Sequence, residues 1–232
     1  MQLTEELAEF IGILLGDGGI YHYHKNRGPV IEINGGLDDF EYLDGYVKKL
    51  IKNLFNKEVK VVKRKNRNEI RIQICSIELF TLLTKELCLW SGKKESIGIP
   101  LIVKNAPDKC VFAFLRGLAD TDFGYMFKRG GGWPSIETAF KSKQLVLDLK
   151  EILSKYGITC WIRTDYAAHY KDRCWVTNEI ELTGKANFIR WIKLIGSSHP
   201  KNQKKISNWL NKFGIAWIRK KRPGEDLNPG PR

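Results

Sequence analysis

The amino-acid sequence predicts an α+β fold: a pseudo-twofold duplication of an α-β-β-α-β-β-α unit, with two antiparallel four-stranded sheets and two related helices packed at the centre. Three observations carry this reading. FIGILLGDGGI (residues 10–20) has a second version, FLRGLADTDFG (residues 114–124), each an apolar helical run with an internal glycine (Gly12, Gly117) that ends on an aspartate (Asp17, Asp122). The two aspartates are 122 − 17 = 105 positions apart in a chain of 232 residues. The same order of alternating and helical segments follows each of them.

After Asp17, IYHYHK and PVIEIN alternate polar and apolar residues as the strands of a hairpin do. DDFEYLDGYVKKLIKNLF then begins with acidic residues, which suit a helix N-terminus. KEVKVVKRKNRNEIRIQIC predicts a second strand pair and SIELFTLLTKELCLW a closing helix. After Asp122 the series recurs: GYMFKR and WPSIETAF as strands, KSKQLVLDLKEILSKYG as a helix with Gly157 at its end, ITCWIRTDYAAHYKDRCWVTNEIELTG as a strand pair, and KANFIRWIKLIG as a helix. The expected organisation is a first half over 1–90, a Gly-, Pro- and Lys-rich linker over 91–109, a second half over 110–198, a basic extension over 199–222 that is helical in KNQKKISNWLNKFG, and a Pro-rich disordered tail over 223–232.

Glycine in a helix interior costs about 1 kcal/mol relative to alanine, so Gly12 and Gly16 need a reason. Four apart, they share one helical face, where a missing side chain lets a partner backbone approach. In the second copy these places hold Gly117 and Thr121, again small. Parallel packing of the two helices puts Asp17 and Asp122 side by side at C-terminal helix ends, where the helix dipole already disfavours negative charge. A divalent cation resolves that conflict, and oxygen ligands suit Mg²⁺. Beside a phosphodiester such a centre activates water and stabilises the leaving oxygen, the work of a metal-dependent phosphodiesterase.

Composition agrees. Lys and Arg number 39 against 26 Asp and Glu, a net charge of +13 that favours a polyanion, either nucleic acid or an acidic membrane surface. No apolar run approaches the ~20 residues that span a bilayer, and MQLTEELAEF lacks the features of a signal peptide, so the expected location is intracellular, in the cytoplasm or an organellar matrix. Five scattered cysteines with no C-x-x-C pair predict reduced thiols rather than a disulfide framework or a zinc ribbon.

The paired stretches resemble the signature of the LAGLIDADG homing endonucleases in their single-chain form with two motifs. Gly12 and Gly117 match the motif glycine, and Asp17 and Asp122 its final aspartate. The similarity extends to about residue 212. Two positions depart from the motif: its first aspartate is kept as Asp120 but is Leu15 in the first copy, and the glycine after the aspartate is Phe123 in the second. The first departure touches a structural position; the second bears on the placement of Asp122. With no Cys or Ser at its start and no His-Asn at its end, the chain reads as a free-standing enzyme rather than an intein.

The resemblance implies a monomeric, Mg²⁺-dependent endonuclease, with Mn²⁺ as a substitute, acting on a long asymmetric double-stranded DNA site. Its two sheets would form a saddle in the major groove, each half reading one half-site. Metal would be held by Asp17 and Asp122 with Gly16 and Thr121, and a basic residue would assist each centre. Lys94, or its neighbour Lys93, is the candidate in the first half; Lys201, or Lys204 or Lys205, is the candidate in the second. Candidate DNA-binding residues are His22, His24, Lys63, Arg64, Lys65, Arg67 and Arg71 in the first half, and Lys128, Arg129, Lys141, Arg163, Lys171 and Arg173 in the second, Lys141 being placed to reach inward. As metal ligands His22 and His24 lack a third partner, and the DTD tripeptide at 120–122 lies on a helix rather than in the loop of a nucleotide-sugar site. A second reading keeps the scaffold without cleavage, as an RNA maturase or transcriptional regulator. A third is a basic α/β protein with no nucleic-acid role.

Overall fold

A computed structural model describes residues 2–22, 28–65, 67–128, 130–170 and 173–214. Chain contacts group it into two compact units, Met1–Phe123 with Ser197–Pro200, and Gly124–Gly196 with the segment from Lys201 onward. The second motif helix therefore belongs with the first.

In the first unit, α1 (Glu5–Gly16) starts at Thr4, whose hydroxyl accepts from the Leu7 N–H at 3.2 Å, with Glu5 and Glu6 in the first turn. Every residue from Leu7 to Leu15 is buried. A helix apolar on all sides belongs in the middle of a structure rather than at its surface. It stops at Asp17, and the chain turns directly into β1 (Gly18–His22). With β2 (Pro29–Gly36), β3 (Val61–Lys63) and β4 (Glu69–Cys75) this forms an antiparallel sheet of order β1-β2-β4-β3. Strand alternation sends Ile31, Ile33, Ile70, Ile72 and Ile74 into the core and leaves Glu32, Arg71 and Gln73 on the opposite face.

The helix expected over 38–55 forms in three windings: a 3₁₀ turn at Leu37–Asp39, a π-helical stretch at Tyr42–Val47 around Gly45, and α2 (Lys48–Phe55), which ends at the left-handed Asn56. α3 (Ile77–Thr81), capped by Ser76, closes the half and continues as a π-helical turn over Leu82–Glu86. The segment 91–109 contains one element the sequence did not predict, the short α4 (Leu101–Lys104). α5 (Asp108–Asp122) follows directly after Pro107.

The second unit repeats the pattern with β5 (Gly124–Lys128), β6 (Trp133–Phe140), α6 (Lys143–Lys155), β7 (Trp161–Tyr170), β8 (Arg173–Thr183) and α7 (Lys185–Leu194), in sheet order β5-β6-β8-β7. Between Arg163 and Tyr166 the β7–β8 register shifts, with Asp165 at φ 56°. The buried Trp191 donates its indole N–H to the Tyr125 hydroxyl at 3.1 Å. The basic extension is helical as expected: α8 (Pro200–Trp209) continues to Gly214, and Trp209 anchors it by packing on Phe188 and donating to the Gly131 carbonyl at 3.0 Å. The tail expected over 223–232 lies outside the described residues. Each half thus carries the predicted α-β-β-α-β-β-α order, and all five cysteines are free thiols. Among the described residues no helix is long and apolar enough to cross a membrane.

Candidate active site

The site begins with the glycines. A Cβ on Gly12 would overlap the Phe114 carbonyl oxygen and sit 2.7 Å from the Leu118 nitrogen; one on Gly117 would overlap the Glu9 carbonyl oxygen. A Cβ on Gly16 would run into the Thr121 side chain and come within 2.7 Å of Asp122 Oδ2. Residues 9, 12 and 16 thus meet 117, 114 and 121. The cross-over of the first two pairs and the meeting at the C-terminal ends are those of two helices packed in parallel about a local twofold, backbone against backbone. The buried Glu9 adds a tie between them, accepting from Arg116 at 2.6 Å, and it also accepts from the hydroxyls of Tyr46 and Ser198.

This packing brings Asp17 and Asp122 together. Burial pushes the Asp17 carboxyl up to about 7, with the charges of Asp122 and Asp39 pushing the same way and Lys94 opposing. Burial pushes Asp122 up to about 6, again against Lys94. Lys94 is itself lowered by burial, offset by the attraction of both aspartates. Its ammonium donates to the Leu15 carbonyl at 2.6 Å and to the Gly16 carbonyl, the C-terminal end of α1, where the helix dipole favours a cation. Of the two lysines in the first-half loop, Lys94 is the one whose charge acts on both aspartates.

Thr121 donates its hydroxyl proton to the Gly117 and Leu118 carbonyls of its own helix, and the Gly16 carbonyl accepts from Lys94, so Gly16 offers a metal only a backbone carbonyl that it shares with that ammonium. Lys201 is exposed on the first turn of α8, and Lys141 is exposed after β6; both lie in the second unit.

The two departures from the motif now have structural meanings. Asp120 is buried and gathers the loop after α7, accepting from the Ser197 hydroxyl, the Ser198 N–H at 2.6 Å and the His199 N–H at 3.1 Å. In the first half the loop after α3 is held instead by Lys94 and by the Gly92 N–H on the Ile20 carbonyl at 2.8 Å, so the apolar Leu15 suffices. Phe123 leaves the helix in an extended conformation and is buried, which lengthens α5 through Asp122, whereas α1 ends one residue before Asp17. Asp122 nevertheless remains beside Asp17.

Sequence reasoning missed Asp39, Tyr42 and His199. Asp39 raises the pKa of Asp17 and lies 3.2 Å from His199 Nε2, while the His199 ring stacks on Tyr42 with centroids 4.5 Å apart. Only a signal of position was available: His199 stands 199 − 94 = 105 residues after Lys94, the same offset as the aspartates.

No group of three or more acidic, His or Cys side chains poised for a metal occurs among the described residues. The donor set nevertheless fits a hard, hydrated divalent cation. It comprises two carboxylates whose ionisation is opposed by burial, backbone carbonyls, and the amide oxygen of Asn34, buried without a hydrogen-bond partner on a residue whose N–H donates to the Asp17 carbonyl at 3.0 Å. The pH dependence follows. With both carboxyls raised, the unfolded chain binds fewer protons at these sites than the folded chain between about pH 4 and 7, so metal-free stability falls as pH rises through that window. The ceiling is on the order of 4 kcal/mol for Asp17. Thermal melts of the chelator-treated protein are expected to drop between pH 5 and 8, with millimolar Mg²⁺ restoring the loss at pH 8 and not at pH 5; a flat profile with no Mg²⁺ effect contradicts this.

The sheets display the other candidates. On the outer face of the first, Arg71 and Arg64 lie with Glu32 and Gln73 around a depression of about 460 Å³. Lys65 and Arg67 are exposed at the β3–β4 turn. Two candidates, both exposed, stand on the inner side of their strands. His22 follows Ile20 onto the helix-covered face, its ring 5.5 Å from Phe80, so the outer face of β1 carries Tyr21 instead. Lys63 is paired with the core residue Ile70 and shares that inner side at the sheet edge. On the second sheet Lys128 and Arg163 stand on the outer face, Lys128 between Glu137 and Glu181, and Arg163 donating to Glu179 at 2.6 Å with its guanidinium 3.5 Å over the Tyr166 ring. His24, Arg129 and Lys171, and the side chain of Arg173, lie outside the described residues.

Two antiparallel sheets, two parallel glycine-packed helices and a half-buried pair of aspartates at their ends define a two-motif nuclease scaffold. The chain belongs to the LAGLIDADG DNA endonuclease family, whose model matches residues 9–179. Its fold is similar to that of the homing endonuclease I-DmoI, solved in complex with DNA and Ca, with TM-score 0.63 at 15% identity over 90% of this chain and 100% of that one. It is likewise similar to I-WcaI bound to its DNA recognition sequence, with TM-score 0.61 at 17% identity over 89% and 88%. Two Methanocaldococcus jannaschii proteins, a probable translation initiation factor IF-2 and a replication factor C small subunit, are each 28% identical over 88% of this chain. The chain spans only 16% and 10% of their lengths.

Proposed function

We propose that the protein is a site-specific, divalent-metal-dependent double-strand DNA endonuclease. The observation that carries this reading is the pair Asp17 and Asp122, half-buried together at two helix C-termini with Lys94 against both. Two neighbouring carboxylates raised to about 7 and 6 are a cost to the fold that a bound cation offsets. Asp17 and Asp122, with the carbonyls of Gly16 and Thr121, would hold the metal, whose chemistry is to acidify water and to neutralise charge on the scissile phosphate. Mg²⁺ is the ion that suits this oxygen set, and Mn²⁺ a substitute. Lys94 orients the end of α1 and places positive charge where the phosphate gains negative charge. Lys201 is the second-half candidate for the same task. The basic outer faces hold the DNA, each sheet serving one half of a long asymmetric site, and one chain suffices because it carries both motifs.

The solved relatives support DNA as substrate, and complexes of I-DmoI with Ca, Mn or Mg support a divalent metal. A translation factor and a replication factor share one segment with this chain, which supports a module independent of either host's task and hence a mobile coding sequence. The test is a plasmid library of randomised sites incubated with the protein and Mg²⁺. Recovery of linearised plasmids with a common sequence is the expected result. Sequence-selective binding without any Mg²⁺- or Mn²⁺-dependent cut overturns the enzyme reading in favour of a regulator or maturase on the same scaffold.

A further inference from the structure

A glutamate near the middle of a DNA-binding sheet is out of place, since it repels phosphate and loses hydration when covered. This chain has one at the same place in both halves. Glu32 on β2 and Glu137 on β6 are 137 − 32 = 105 residues apart, and each is paired across the sheet with a glycine, Gly19 or Gly124, that obeys the same offset. Glu32 is only 9% exposed. Its Oε1 accepts from Gln73 Nε2 at 2.9 Å and from Arg71 Nη1 at 3.4 Å. Glu137 accepts from Lys128 at 3.1 Å, a lysine it shares with Glu181 at 2.7 Å.

We infer that Glu32 is a positioning residue for base reading, with Arg71 and Gln73 as the reading residues it orients, and that Glu137 plays the corresponding part for Lys128. This rests on the DNA-endonuclease reading above and adds to it which side chains specify bases. A carboxylate acceptor fixes which end of the Gln73 amide faces it: the NH₂ turns to Glu32, and the amide oxygen with the second N–H is presented to the groove. That acceptor-donor pair matches adenine N6 and N7. Arg71, with one nitrogen on Glu32, keeps its remaining donors for guanine O6 and N7. The two readers are neighbours on one strand face, about 6.8 Å apart, or two base-pair steps. Neutralised by its donors, Glu32 adds little repulsion while removing the rotamer freedom of two long side chains.

The experiment is selection on a randomised site with the full chain, comparing wild type with E32A, E32Q, R71M and Q73M. R71M and Q73M are expected to erase the preference at one position each, two base pairs apart, in one half-site. E32A is expected to flatten both positions, by roughly tenfold each, with the other positions unchanged and the affinity for unrelated DNA raised, because a carboxylate is removed while Arg71 keeps its charge. E32Q keeps an oxygen for Gln73 and loses the charge facing Arg71, so it should weaken only the guanine position. An E32A profile that matches wild type, or one that loses affinity uniformly at every position, overturns the inference while leaving the endonuclease reading intact. A wild-type protein that enriches no sequence overturns both.

Discussion

Asp17→Asn and Asp122→Asn are each expected to abolish metal-dependent DNA cleavage, by about 10³-fold or more, equivalent to roughly 4 kcal/mol of transition-state stabilisation, while raising the thermal stability of the metal-free protein. The opposite signs are diagnostic. Asparagine has nearly the shape of aspartate, so the helix ends are preserved, but it cannot supply the carboxylate charge that draws in the metal. Removing one charge also relieves the desolvation and repulsion that push Asp17 to about 7, or the desolvation that pushes Asp122 to about 6. A structural aspartate would behave otherwise. Asp120, which accepts from Ser197, Ser198 and His199, should lose stability on the same change because its charge is used by the fold. Cleavage, DNA affinity in Ca²⁺ and melting temperature, measured together, separate the cases. Full cutting by either Asn variant contradicts the assignment.

Gly117→Val and Gly12→Val should have the largest effects on folding. At either position a new side chain would overlap a backbone carbonyl of the facing helix, and neither backbone can retreat without parting the helices that hold the two aspartates. The cost should exceed about 4 kcal/mol, the range of severe core disruption, and leave little cooperative unfolding in urea. Gly45→Ala is the control, because a Cβ there meets nothing within 4 Å. It should be neutral or slightly stabilising, by up to about 1 kcal/mol, since alanine is the better helix former. Equal tolerance at all three positions would mean the close approach has no energetic weight.

The residues whose role depends on local pattern were legible in the chain. Strand alternation, the acidic opening of the helix over 38–55, Gly157 at a helix end and the glycine spacing placed both hairpins, the helices and the motif pair, because those features depend on neighbours within a few positions. The side on which His22 and Lys63 stand was not legible for a related reason. Charge suggested DNA contact, but which face of a strand is covered is set by the helices that pack on it, here Phe80 beside His22 and the core around Ile70 beside Lys63. Asp39 and His199, 160 residues apart, meet only through the fold, so neither carries a signal in its own neighbourhood.

By itself, the sequence determined that the chain is a duplicated α+β unit with two glycine-bearing helices, each followed by an acid, and a surplus of positive charge for a polyanion. Those properties are periodic or additive along the chain. Only the tertiary structure decided that Lys94 rather than Lys93 faces the paired acids, that Asp120 ties down a loop, and that Glu32 and Glu137 hold the groups beside them. These depend on the distances between segments far apart in sequence, and burial, which sets the charge state of Asp17 and Asp122, exists only once those segments have come together.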